Sequence, residues 1–212
     1  MADMQALIWD LGGTLVDTYP DVDRTLAAVL DPQPGDELLH EVAQLTRVSS
    51  SHAISTLAAR HQLPEQRLRA AYEQTKQHWQ ETPPPAMPGA RELLAAVSEH
   101  GGLNLVATHR DRDSATALLD SLGLRVDDMV CAPDGFARKP DPTMVRALLA
   151  RHGLAAEGCV AVGDRPADVR AAAAAGVPGV LLETDGVPLD AGDAQRITSL
   201  EELREHLGLG RA

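Results

Sequence analysis

The chain has 212 residues, 44% of them hydrophobic and 24% charged, a globular balance that excludes a disordered tail or a fibre. That length lies above the ~100–200 residues usual for one domain, so one domain carrying an insertion, or two small domains, is expected. A formal charge of −12, with two Trp, two Tyr and one Phe in all, offers neither a basic face for a polyphosphate backbone nor platforms for stacked bases, which argues against a nucleic-acid partner.

The opening residues, Met1-Ala2-Asp3-Met4-Gln5, lack the basic stretch, apolar stretch and cleavage site of a signal peptide. The longest apolar stretch, residues 171–182, is broken by Gly176, Pro178 and Gly179 and is too short to span a bilayer. A cytoplasmic protein without a membrane partner is therefore expected. Residues 6–9 read as a first strand. After it, residues 17–85 carry helical patterns at 22–30, 37–47, 51–61 and 65–80 with no convincing strand, and Ser49-Ser50-Ser51 offers an N-cap for the third of these helices. Pro83-Pro84-Pro85 and then Pro88-Gly89 form a stiff connection that cannot continue a helix. Residues 17–85 are thus predicted as an all-helical cap domain inserted into a core of residues 1–16 and 86–212.

Beyond the prolines, strands predicted at 103–107, 129–131, 159–162 and 180–182 alternate with helices at 89–100, 113–122, 142–152 and 166–175. The last helix is stopped by Gly176, suited to a left-handed cap. This alternation predicts an α/β fold, a doubly wound, mainly parallel, Rossmann-like sheet with helices on both faces. Cys131 and Cys159 fall in the strands without metal-ligand spacing, so both are expected to be buried free thiols.

Open α/β sheets place ligands at the carboxyl ends of their strands, and four stretches there carry chemistry. The first strand exits into Asp10-Leu11-Gly12-Gly13-Thr14 and the second into Thr108-His109-Arg110. The fourth exits into Gly163-Asp164-Arg165-Pro166-Ala167-Asp168, and between them lies Arg138-Lys139-Pro140-Asp141. Carboxylates, a hydroxyl and an ammonium therefore converge on one edge of the sheet. Lys139 is one of only two lysines, the other being Lys76 in the helical insertion. Its compact charge suits neutralisation of phosphate or carboxylate. A helix starting near Pro166 would bring Asp164 and Asp168 toward one site. Arg138 and Arg165, beside these residues, could help attract an anion to an acidic chain, but pairing with surface carboxylates is the favoured expectation.

With these four stretches in order, and an insertion between the first and second, the sequence resembles the haloacid dehalogenase-like hydrolase superfamily over essentially its whole length. The resemblance is to phosphoglycolate-phosphatase-like members with a helical cap. It implies a phosphomonoester hydrolase acting on a small phosphorylated metabolite. Asp10 resembles the nucleophile that forms an aspartyl-phosphate. Thr108 and Lys139 resemble the groups that hold the phosphoryl oxygens, and Leu11, Gly12, His109 and Arg110 fall at the phosphate- or substrate-binding positions. Asp10, the Gly12 carbonyl, Asp164 and Asp168 are implied as the Mg²⁺ site. One departure stands out. The family's Asp-x-Asp-Gly-Thr reads Asp10-Leu11-Gly12-Gly13-Thr14 here, so the carboxylate expected to protonate the leaving group is replaced by Gly12. His109 is the nearest candidate to substitute as acid and base. A phosphonatase-like role for Lys76 fits less well, because it lies late in the cap. A dehalogenase would not need the carboxylates at Asp164 and Asp168. The alternative is a weak or inactive phosphate-ligand binding protein. Oligomeric state is left open by the sequence.

Overall fold

The computed structural model describes residues 4–210; Met1, Ala2 and Asp3, three of the five residues read for a signal peptide, lie outside them. Strands β1 (Ala6–Trp9), β2 (Leu103–Thr108), β3 (Asp128–Cys131), β4 (Cys159–Gly163), β5 (Gly179–Leu182) and β6 (Gln195–Ile197) form one sheet in the order β3-β2-β1-β4-β5-β6. All five pairings are parallel. The chain runs outward from β1 through β2 to β3 and then returns to place β4 on the other side of β1. The strand order therefore reverses between β1 and β4, and the crevice at their carboxyl ends is the natural ligand site of such a sheet.

Alternation along β1 explains the two covered faces. Leu7 and Trp9 enter one apolar cluster with α5 (Ala90–Glu99), α6 (Arg112–Leu122) and α9 (Leu200–His206). Ala6 and Ile8 enter the opposite cluster with α7 (Thr143–His152) and α8 (Pro166–Ala174). A strand buried on both faces reads as a continuous apolar run, which is why Ala6-Leu7-Ile8-Trp9 was legible. The buried Asn104 on β2 is satisfied: it accepts from Trp9 Nε1 at 3.1 Å and donates to the Leu94 carbonyl at 2.9 Å. Cys131 and Cys159 are buried free thiols, as expected.

Between β1 and α5 lie α1 (Tyr19–Leu30), α2 (Asp36–Val48), α3 (Ser50–Arg60) and α4 (Glu65–His78). They share an apolar cluster of their own, built on residues such as Leu26, Val42, Ile54, Leu57, Leu68 and Trp79, which Leu118 of α6 joins from the sheet side. The two connecting segments run antiparallel, bridging at Val16 and Ala86, with Asp17 N–H donating to the Pro85 carbonyl at 2.9 Å. Ser49 caps α3 by accepting from His52 N–H at 3.0 Å.

Beyond shifts of one residue at element ends, the α-helices and strands depart from the sequence expectation at four places. Helix α1 starts at Tyr19 rather than 22, since Pro20 in its first turn carries a φ already suited to a helix start. Helix α4 ends at His78. Strand β6 and α9 were not anticipated. Gln195-Arg196-Ile197 is too short and too exposed to show a period. Helix α9 did carry a signal, Ser199 followed three residues later by Glu202, and Ser199 indeed accepts from Glu202 N–H at 3.1 Å. Among the described residues no helix is long and apolar enough to cross a membrane.

Candidate active site

Register places the reactive groups. Trp9 pairs with Val106 on one side and Val162 on the other, so Asp10, Thr108 and Asp164 all emerge at the carboxyl edge within a residue or two of the last pairing. Asp10 N–H still donates to the Val162 carbonyl at 2.9 Å, which pins the loop that follows β1. Gly13 turns that loop with φ +90°, and a Cβ there would run into the Tyr19 ring and the Asp164 carboxylate, so only glycine fits. Asp168 sits in the first turn of α8. Its Oδ2 accepts from Arg165 N–H at 3.0 Å, so the residue caps its helix and serves the site at once.

Asp10, Asp164 and Asp168 are all buried and each offers a carboxylate oxygen within 4.8 Å of the others. Lys139 reaches between them. Its Nζ donates to Asp10 Oδ1 and, at 2.9 Å, to the Ala107 carbonyl, and it stands 2.5 Å from Asp168 Oδ1. That last contact is ionic, because Asp168 Oδ1 is left without an aligned hydrogen bond. Asp164 instead accepts from two hydroxyls, Thr14 Oγ1 at 2.9 Å and Tyr19 Oη at 2.5 Å. Tyr19 in turn lies under the Arg47 guanidinium, 3.6 Å from its ring centroid.

Burial raises the Asp10 carboxyl above the usual range, with Lys139 pulling the other way. Burial likewise lifts Asp164 to about 6, against the opposing pull of Arg165. At Asp168 burial is outweighed by Lys139 and Arg165, which hold it below its ordinary value. Lys139 shows the converse: burial disfavours its charge, but Asp10 and Asp168 outweigh that and raise it. Three clustered, buried carboxylates offering hard oxygen donors fit an oxygen-coordinated divalent cation.

The cluster opens on a cavity of about 690 Å³ between the sheet edge and helices α1, α3 and α4. Asp10, Gly12, Thr108, His109, Arg110 and Lys139 all line it. Leu11 contributes no side chain to the cavity, being fully buried in the apolar cluster. Among the described residues, neither the Leu11 nor the Gly12 N–H finds an acceptor, so both backbone donors are free. From the helical side come Ser49, Ser50, Ser51, Tyr72, Lys76 and Trp79. Lys76, which its place in the sequence set aside, thus shares the cavity with Asp10. Its Nζ is paired with Glu73 at 2.7 Å. Arg110 stacks on Trp79 at 4.9 Å, a contact from the β2 exit to the end of α4.

Three sequence expectations need correction. Arg165 does not pair with a surface carboxylate: it is largely buried, with Nη2 3.6 Å from Asp10 Oδ1 and Nε 3.8 Å from Asp168 Oδ2. Arg138 is exposed on the cavity rim and has no salt bridge among the described residues. His109 is not placed to act as acid and base, because its Nε2 accepts from Lys139 N–H at 2.8 Å. That bond puts the ring proton on Nδ1, and burial together with the nearby Lys139 lowers the ring to about 3. His109 is therefore neutral near pH 7. A group whose folded pKa is depressed contributes stability above its unfolded value, near 6.5, and loses it as pH falls toward the folded one. Wild type is therefore expected to lose stability relative to His109→Gln between pH 6.5 and pH 3, read from urea midpoints across that range; parallel curves would refute the buried neutral imidazole.

The profile of the haloacid dehalogenase-like hydrolase family matches residues 4–176. A phosphoglycolate phosphatase of Rhodospirillum rubrum is 35% identical over 191 residues, covering 84% of this chain and 79% of its own. One from Agrobacterium fabrum is 34% identical over 194 residues, covering 86% and 82%. Among solved structures, a HAD-family hydrolase from Deinococcus radiodurans with bound phosphate and sodium is 25% identical, covering 99% of this chain and 98% of its own, at a TM-score of 0.80.

Proposed function

The chain belongs to the haloacid dehalogenase-like hydrolase family and is a phosphatase of the phosphoglycolate-phosphatase-like kind; from that premise we propose that it is a Mg²⁺-dependent phosphomonoester hydrolase working through Asp10. The observation that carries this reading is the buried Asp10–Asp164–Asp168 cluster, bridged by Lys139 and opening on the cavity. Asp10 attacks phosphorus through a carboxylate oxygen, the ester P–O bond breaks, and the leaving oxygen takes its proton from water. Water then attacks the phosphorus of the aspartyl-phosphate, releasing phosphate and restoring the Asp10 carboxylate. Lys139 and Thr108, with the free N–H groups of Leu11 and Gly12, hold the phosphoryl oxygens as charge moves onto them. Asp10, Asp164, Asp168 and the Gly12 carbonyl are the residues that would hold Mg²⁺, which supplies charge neutralisation to the phosphoryl group.

We assign residues 17–85 the role of a cap that excludes water and selects the substrate. Besides Lys139 and Arg165, four more cations, Arg69 and Lys76 of α4 with Arg110 and Arg138 of the core, line the same cavity in a chain whose net charge is −12. This lining suits a small phosphorylated metabolite with a second anionic group, as in phosphoglycolate, and the cytoplasm is where such metabolites are met. The rival is a phosphate-binding protein that turns over negligibly. A panel of phosphomonoesters assayed for phosphate release with and without Mg²⁺ separates the two. Mg²⁺-dependent release is expected, with Lys76→Ala raising KM about tenfold for carboxylated esters and leaving p-nitrophenyl phosphate nearly unaffected. Phosphate binding without release from any ester would favour the rival, and equal effects on both ester classes would remove Lys76 from specificity.

A further inference from the structure

Lys139 and Arg165 are the two cations nearest the nucleophile, and their donors are used differently. The Lys139 ammonium is engaged, donating to Asp10 Oδ1 and the Ala107 carbonyl and standing in ionic contact with Asp168. No described hydrogen bond uses the Arg165 side chain. Its Nη2 stops 3.6 Å from Asp10 Oδ1 and its Nε 3.8 Å from Asp168 Oδ2, both beyond hydrogen-bond reach. The buried Nε has no partner. Nε and Nη2 together make the edge by which a guanidinium grips an oxyanion with two parallel bonds. That edge lies beside Asp10, and Arg165 lines the cavity.

The backbone fixes this aim. Arg165 is the residue before α8, Pro166 opens the helix, and Asp168 Oδ2 holds the Arg165 N–H at 3.0 Å. A counter-ion for buried carboxylates would be expected to close to hydrogen-bond distance, because a buried donor without an acceptor is costly. Three carboxylates facing Lys139 alone would also present excess negative charge to a phosphate dianion. Arg165 reduces that excess without occupying a carboxylate oxygen. We propose that Arg165 is a second phosphate-binding residue, whose Nε–Nη2 edge receives a phosphoryl oxygen of the ester as Asp10 attacks. The proposal rests on the phosphatase reading above and adds to it a phosphate contact by a residue for which the sequence favoured surface pairing over anion attraction.

The test is calorimetric titration of inorganic phosphate, in the presence of Mg²⁺, into wild type, Arg165→Lys and Arg165→Gln. Mg²⁺ is titrated alone in parallel, and KM and kcat are measured with p-nitrophenyl phosphate. Arg165→Gln is expected to weaken phosphate binding and raise KM about 10–100-fold. Arg165→Lys should recover part of this, since it keeps the charge and loses the fork. Mg²⁺ binding alone should be unchanged or tighter, because a repelling cation has gone. Unchanged phosphate affinity in Arg165→Gln would overturn the proposal, as would loss of Mg²⁺ and phosphate affinity in equal measure with a lowered Tm. Should the Gln variant not fold, the Lys variant decides: wild-type phosphate affinity overturns the fork, and weakened affinity supports it. A wild type that neither binds phosphate nor releases it from any ester overturns this proposal and the phosphatase reading together.

Discussion

Asp10→Asn should lower turnover of every phosphomonoester by at least about 10⁴-fold while the chain stays folded. The amide keeps the shape of the carboxylate but is a far weaker nucleophile, so the first P–O bond is not made. Folding should survive because Lys139 does not lose its compensation: Asp168 stays 2.5 Å away and the Ala107 carbonyl still accepts from it. Removing one of three mutually repelling carboxylates also relieves part of the strain that burial puts on Asp10. Lys139→Ala is the harsher change, since it leaves Asp10 and Asp168 buried without their ammonium, and one uncompensated buried charge costs on the order of 3–5 kcal/mol. The measurement is kcat on acetyl phosphate and p-nitrophenyl phosphate, whose leaving groups need little proton help, beside a thermal melt. Turnover at the wild-type rate by Asp10→Asn would exclude attack by this carboxylate.

The parts of the site that the sequence revealed are those that strand register controls. Asp10 and Asp164 follow directly on, and Thr108 ends, strands whose apolar runs are unmistakable, and a parallel sheet brings such exits together. Lys139 follows no strand directly, yet its rarity in the chain marked it. What stayed hidden depends on side-chain direction. Nothing in Gly163-Asp164-Arg165 says that the arginine turns inward toward Asp10 and Asp168, because side-chain direction leaves no trace in the residue pattern. Tyr19 was missed for the same reason. It begins α1, far in sequence from Asp164, and only the close packing over Gly13 carries its hydroxyl to that carboxylate. Lys76 looked remote because residues 65–80 read only as an amphipathic helix; which face of α4 meets the cavity is decided by the packing of Leu68 and Trp79 into the four-helix cluster. His109 was legible as a neighbour of the site, but its tautomer is fixed by a long-range bond to Lys139 N–H.

Gly12→Asp tests what the missing carboxylate costs. The resemblance places the proton donor of ordinary family phosphatases at this position, and such general acid–base help is worth about 10²–10⁴-fold. His109 does not replace it, being neutral near pH 7 with its Nε2 taken. Gly12 does not have a positive φ, so the backbone admits a side chain. The obstacle is Thr18, whose Oγ1 would lie 3.2 Å from the new Cβ. Thr18 is buried, lines the cavity and does not use its side chain to cap α1, so trimming it sacrifices no described hydrogen bond. Gly12→Asp combined with Thr18→Ala is therefore expected to raise kcat on alkyl phosphates by about 10²-fold or more, and Gly12→Asp alone by less. Activated esters should gain little in either variant, because their leaving groups depart without a proton. His109→Gln should not slow alkyl phosphates selectively. The comparison is kcat on a series of esters graded by leaving-group pKa, with Mg²⁺ affinity measured on each variant. A double variant that binds Mg²⁺ like wild type and shows no steeper gain for poor leaving groups would mean that proton transfer does not limit this enzyme, and that Gly12 removed nothing its substrate requires.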